Sequence, residues 1–101
     1  MINLQAKGKR LVNKIKKEKE KNNCVVYVPP HTKWKRDIMG FDAICFREDG
    51  IEFVEGTVKS GKSARLKRIK DNPFFQRFKN IYRFEMYLWD SKKKKFLIEK
   101  I

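Results

Sequence analysis

Apolar residues over the first twenty positions repeat with a helical spacing. Leu4, Gly8, Leu11, Val12 and Ile15 fall at i, i+4, i+7, i+8 and i+11, one face of a helix over 3–21. Lys7, Lys9, Arg10, Lys14, Lys16, Lys17, Lys19 and Lys21 cover the rest of that helix as a solvated surface, and Asn22 and Asn23 supply a stop. The pattern then changes. Residues 24–28 (CVVYV) predict a short buried strand closed by Pro29 and Pro30, and a loop rich in Lys and Arg, with Trp34 embedded, runs to Met39.

Residues 40–47 (GFDAICFR) and 51–59 (IEFVEGTVK) predict two strands joined at Asp49-Gly50, a favoured hairpin dipeptide. Both are apolar on both faces, as expected for a central sheet covered on two sides. A basic helical turn follows over 64–70, Asn72-Pro73 interrupts it, and a helix resumes over 74–79. Residues 81–89 alternate, with Tyr82, Phe84, Met86 and Leu88 on one face and Arg83 and Glu85 on the other, which predicts a half-buried strand. A turn over 90–95 leads to a final strand over 96–101. The order α-β-β-β-α-β-β predicts one α/β domain with a mixed central β-sheet flanked by helices.

Charge adds a partner class to this outline. The chain has 101 residues and a formal net charge of +14, with a pI near 10.0. Self-repulsion on that scale opposes compaction unless an anion offsets it, and nucleic acid is the densest common array of anions. No long apolar run suggests a membrane span, and Met1 leads directly into a charged segment without a signal-peptide pattern, so the expected location is cytoplasmic, in the host if the chain is viral. Cys24 and Cys45 lie in apolar runs and read as two reduced, buried thiols, with no zinc spacing around them. His31 reads as an ordinary loop residue, and the run 92–95 as a solvated turn.

Acidic residues are scarce, so two of them in apolar surroundings are informative. Asp42 sits inside GFDAICF and Glu55 inside IEFVEGTV. A carboxylate so placed costs several kcal/mol unless it is paired, hydrogen-bonded or metal-bound. If Asp49-Gly50 is a two-residue loop, Asp42 lies opposite Thr57, and Glu55 and Lys59 flank Thr57 on the same face. Diagonal neighbours are then about 7–8 Å apart, close enough to share a cation. Two carboxylates with a lysine suit metal-assisted phosphodiester hydrolysis: Asp42 and Glu55 hold Mg²⁺ or Mn²⁺, Lys59 assists the attacking water or the phosphate, and Thr57 orients a ligand. The plainer alternative is an Asp–Lys or Glu–Lys pair of structural use.

These stretches resemble the PD-(D/E)XK nuclease superfamily, and within it the archaeal Holliday-junction resolvases and related small viral or phage proteins. The matching segments are AKGKRLVNKI, CVVYVP, KRDIMGFDAICF and IEFVEGTVKSGKSARLKRI, about residues 6 to 70. The resemblance implies a restriction-endonuclease-like core, Asp42 as a metal-binding Asp, DNA held by surrounding basic residues, and a homodimer. The family motif has an acid, any residue, then Lys; this chain offers Glu55-Gly56-Thr57 or Thr57-Val58-Lys59, and Asn13 where resolvases carry a Glu on the first helix. The expected DNA contacts are Lys7, Lys9, Arg10, Lys33, Trp34, Lys35, Arg36, Lys62, Arg65, Lys67 and Arg68. Phe74, Phe75, Phe78, Ile81 and Trp89 add apolar surface that a dimer could cover.

Two other functions compete with a nuclease. One is nucleic-acid binding without catalysis. The other is nucleotide binding, because residues 56–63 (GTVKSGKS) match GxxxxGK[ST] between a strand and a helix, with Asp90 placed to bind Mg²⁺. Against the latter, the preceding hairpin reads as antiparallel, and too little chain follows for further βαβ units.

Overall fold

The computed structural model describes residues 4–29 and 38–101, with the side chains of the first helix described from Arg10 onward. The apolar stripe at the start forms helix α1 (Leu4–Lys21). It ends as expected: Asn23 takes φ 61, and the amides of Asn22, Asn23 and Cys24 return to the carbonyls of Lys19 and Glu20. Strands β1 (Val25–Tyr27), β2 (Ala43–Arg47) and β3 (Gly50–Val58) follow, then a 3₁₀ turn (Lys59–Gly61) and helices α2 (Lys62–Lys70) and α3 (Pro73–Phe78). Strands β4 (Arg83–Asp90) and β5 (Lys95–Lys100) close the chain. Asn72 caps α3 by accepting from the Phe74 amide at 2.9 Å, with Pro73 in the first turn where its missing N–H costs nothing.

The five strands lie in sequence order in one mixed sheet. β1, β2 and β3 are an antiparallel meander, β4 runs parallel to β3 after the α2–α3 crossover, and β5 returns antiparallel. This is the expected α/β architecture. Helix α1 covers one face, over Ile15, Cys24, Ala43, Cys45, Val54 and Tyr87. Helices α2 and α3 cover the other, over Phe41, Ile44, Phe53, Ile69, Phe75, Phe84, Met86 and Leu88. Both cysteines are buried and unbridged. Among the described residues no helix is long and apolar enough to cross a membrane.

Four expectations need correction. β4 is covered on both faces, because Tyr87 packs under α1 while Phe84, Met86 and Leu88 face α2 and α3. Lys19 is 1% exposed rather than solvated. It lies four residues after Ile15, on the apolar stripe of α1, so the helix turns it inward. The hairpin between β2 and β3 turns at Glu48-Asp49, with Gly50 already paired to Arg47, which moves the register by two residues. Finally, the aromatic group at 74–78 serves the chain's own core: Phe75 is buried, and Phe74 and Phe78 pack against Phe53, Tyr82 and each other. Ile81 is exposed as expected, and the other exposed large apolar residues include Val25, Tyr27 and Phe46.

Candidate metal and phosphate site

Two tight turns set the position of Asp42. Ile38 and Phe41 exchange both backbone hydrogen bonds, at 2.8 and 2.9 Å, around Met39 (φ 53) and Gly40 (φ 89). Positive φ at both central residues is the tight hairpin geometry that favours glycine. Asn72 clamps this turn by donating its side-chain amide to the Met39 carbonyl at 2.8 Å. A side chain at Gly40 would put its Cβ 2.6 Å from that same amide nitrogen. The second turn, at 48–49, brings Ala43 opposite Val54. Asp42 then donates its amide to the Val54 carbonyl at 3.0 Å and accepts the Gly56 amide on Oδ2 at 2.8 Å. Gly56 itself leaves room for α1, since a Cβ there would lie 2.4 Å from Ile15.

The two-residue change of register therefore brings Asp42 beside Glu55 rather than Thr57, on the α2 side of the sheet. Glu55 is fully buried. Burial pushes its carboxyl up to about 9; hydrogen bonding and repulsion from Asp42 act in the same direction, and Arg68 and Arg65 oppose them. Arg68 donates to Glu55 Oε2, and Arg65 stands 3.7 Å from Oε1. Among the described residues Glu55 Oε1 has no hydrogen-bond partner. Arg65 is an ion-pair partner of that oxygen at 3.7 Å but too far for a hydrogen bond; a retained proton or a cation would supply the direct contact. The site fits a divalent cation in this respect. Mg²⁺ commonly uses one or two protein carboxylates and completes its shell with water and phosphate oxygens.

The other expected residues divide. Thr57 is buried on the same face as Glu55, beneath Gly61, whose Cβ would lie 2.5 Å from the threonine hydroxyl. Lys59 does not reach the acid pair: it leaves β3 and bonds Asp90 at 2.8 Å. That contact, with the amides of Lys93 and Lys92, holds the Asp90 carboxyl down at about 2. Lys62 pairs with Glu99 at 2.7 Å. Arg65 and Arg68 project from α2 over the acids, and Lys67 is exposed on the same helix. Arg10 is exposed on α1, beyond the opposite face of the sheet, so it does not join the α2 surface. The side chains of Lys7 and Lys9, and all of Lys33, Trp34, Lys35 and Arg36, lie outside the described residues. Among the described residues no three His, Cys, Asp or Glu side chains gather as a metal cluster.

The GTVKSGKS stretch does not fold as a phosphate-cradling loop. Gly56, Thr57 and Val58 are inside β3, and Lys59–Gly61 is a single 3₁₀ turn. Its two lysines, Lys59 and Lys62, are engaged with Asp90 and Glu99.

Reading residues alone missed two things here: the pairing of Arg65 and Arg68 with Glu55, and the role of Asn72 in holding the turn before Asp42. The first had a signal, because a basic helix directly follows the strand carrying Glu55. The second had none beyond the Asn-Pro cap pattern. Comparison with family models, with curated proteins and with solved structures gave no match to this chain.

Proposed function

We propose that this protein is a metal-dependent DNA endonuclease with a restriction-endonuclease-like core. The observation that carries the reading is the placement of Asp42 beside Glu55 under a basic helix, with one buried carboxylate oxygen lacking a donor among the described residues. The coarse architecture, an α/β fold with one mixed five-stranded sheet flanked by helices, is compatible with it. Asp42 and Glu55 would hold Mg²⁺ or Mn²⁺, which supplies an activated water and neutralises charge developing on phosphorus. Arg65 and Arg68 take the phosphate. They provide cations where the family motif has a lysine and this chain has Thr57. Thr57 shapes the floor of the site. DNA is the proposed substrate, branched DNA the first form to test, and a homodimer the proposed state. Val25, Tyr27 and Phe46, exposed at the β1 end of the sheet with Val25 paired to Phe46, favour self-association.

A second reading is DNA binding without cleavage. What favours it is that Lys59, the lysine expected beside the acids, is held by Asp90 instead. Labelled four-way junction and linear duplex incubated with Mg²⁺, Mn²⁺ or EDTA distinguish the two. On the nuclease reading, cleavage depends on the metal, and Asp42→Asn lowers it by about a thousandfold or more, a barrier change of several kcal/mol. The same variant should still bind DNA, because the Lys and Arg contacts are intact. Binding without cleavage under every condition establishes the second reading.

A further inference from the structure

We infer that Arg68 makes cation binding and phosphodiester binding at this site mutually dependent: its guanidinium occupies Glu55 in the free protein and moves to a phosphate in the complex. The inference rests on the reading of Asp42 and Glu55 as a cation site, and it adds an order to how that site fills.

Three observations carry it. First, Glu55 is already engaged without a metal: Arg68 donates to its Oε2 and Arg65 stands 3.7 Å from its Oε1. A divalent cation added alone meets two guanidiniums in a buried setting, inside a chain already at +14. Second, the two guanidiniums are not buried with their acid. Glu55 is 0% exposed, whereas Arg68 is 56% and Arg65 40% exposed. Each arginine therefore stands at the mouth of the site and can leave the carboxylate without entering an apolar environment. Third, Arg68 lines a cleft with a place to go. Gly40, Ile69 and Asn72 form the rest of its wall, and it encloses about 260 Å³. Liquid water takes about 30 Å³ per molecule, so several waters, or a phosphate group with part of its hydration, fit there.

Guanidinium binds phosphate through two parallel N–H donors, a geometry that a carboxylate can also offer, so a phosphodiester in the cleft competes with Glu55 for the Arg68 fork. A phosphodiester in the cleft thus draws Arg68 off Glu55, frees a carboxylate oxygen for the cation and supplies compensating negative charge. By linkage, the cation must tighten phosphodiester binding by the same factor. Arg68 thus acts on the phosphodiester directly and on the cation through Glu55, and Arg65 remains as the second cation of the cluster.

The test measures coupling rather than turnover. Affinity for a short DNA duplex is read by fluorescence anisotropy with and without millimolar Mn²⁺ at fixed ionic strength. Mn²⁺ binding to the protein alone is read by water proton relaxation. Wild type should bind Mn²⁺ weakly by itself, and Mn²⁺ should tighten duplex binding by about tenfold, within the usual range for coupled sites. Arg68→Gln should bind Mn²⁺ more tightly than wild type in the absence of DNA, and the tightening of duplex binding should fall to about twofold or less. Arg68→Lys keeps the charge without the planar fork and should give an intermediate coupling. Melting curves of each variant show that the fold is intact. If Asp42→Asn abolishes Mn²⁺ binding while Arg68→Gln changes neither Mn²⁺ affinity nor coupling, the inference is wrong and the cation site stands. If no variant and no wild-type protein binds Mn²⁺, with or without duplex, the cation site itself is wrong and the inference falls with it.

Discussion

Glu52 and Glu85 on one face of the sheet, and Asp42 and Glu55 on the other, are both acid pairs shared between neighbouring strands, and they are neutralised in different ways. Glu52 and Glu85 close around Lys19, at 2.5 and 2.6 Å, under α1. Arg47 stands 2.9 Å from Glu52 and Arg83 3.6 Å from it. Burial would lower the Lys19 pKa, yet the hydrogen bonds it makes with Glu52, Glu85 and Tyr87, donating to the two carboxylates, outweigh burial and raise it. Burial would raise Glu52, yet Glu85, Lys19 and Arg47 bring it below the usual carboxylate range. In this cluster the fold itself buries the central cation together with its acids. Among the described residues the Asp42–Glu55 cluster has no buried cation; its guanidiniums are drawn from the surface, and one acid oxygen has no hydrogen-bond partner. A pair that is complete fixes a helix to a sheet. A pair that is incomplete is where an added ligand can be stabilised.

The largest effect that could break this comparison is on stability. Lys19→Ala leaves two buried carboxylates facing each other and should cost about 3–5 kcal/mol of unfolding free energy. Asp42→Asn keeps an oxygen to accept the Gly56 amide and relieves repulsion on Glu55, so it should change stability by less than about 1 kcal/mol. Urea titration of the two variants beside wild type checks this. Equal losses would mean that both pairs are structural.

A smaller effect sharpens it. Glu55 titrates near 9 in the folded chain against an ordinary value of 4.5. The folded state therefore holds a proton that the unfolded chain has released over that window. The stability associated with it is present below the unfolded value and is lost as pH rises toward 9. Glu55→Gln removes the titration. It should match wild type in acid and be more stable by about 1–3 kcal/mol near pH 8. Thermal melting of both proteins from acid to mildly alkaline pH measures the difference. A wild-type profile as flat as that of the glutamine variant would show that Glu55 is ionised and fully compensated by Arg68.

Much of this contrast was legible before folding, and the unread part has physical causes. The elements, their order and the mixed sheet followed from periodicity, because the two faces of the strands differ so plainly from the turns between them. Asp42 and Glu55 stood out because an acid in an apolar run needs a partner. The register did not follow. A slip of two residues keeps every side chain on its own face, so the alternation that identifies β2 and β3 cannot tell Asp42–Thr57 from Asp42–Glu55. Only the turn decides, and the chain turns on Glu48-Asp49, where Asp49 pairs with Arg83 at 2.9 Å. Lys19 was misread for a related reason. A lysine among lysines looks solvated, and its partners lie 33 and 66 residues away. Lys59 shared a face with Glu55 by parity, but the strand ends at Val58 and the 3₁₀ turn carries Lys59 to Asp90.

The smallest expected effect concerns the turn that delivers Asp42, and it separates geometry from stability. Asn72 does two jobs with one side chain: its oxygen caps α3 through the Phe74 amide, and its nitrogen holds the Met39 carbonyl. Asn72→Ala loses both and should cost about 1 kcal/mol or slightly more, the ordinary value of an N-cap. Asn72→Asp keeps the cap, since aspartate accepts the Phe74 amide equally well, but it cannot donate to Met39 and sets a negative charge against that carbonyl. The fold should survive this change with a melting temperature near wild type. The turn at Met39-Gly40 should loosen, and Asp42, two residues on, should lose its fixed position beside Glu55. Cation affinity should fall severalfold in Asn72→Asp, while the Lys19–Glu52–Glu85 cluster, on the far face, keeps its hydrogen-exchange protection. A drop in melting temperature as large as that of Asn72→Ala would assign the Met39 contact to stability. An unchanged cation affinity would show that the backbone bonds between Ile38 and Phe41 hold Asp42 without help from Asn72.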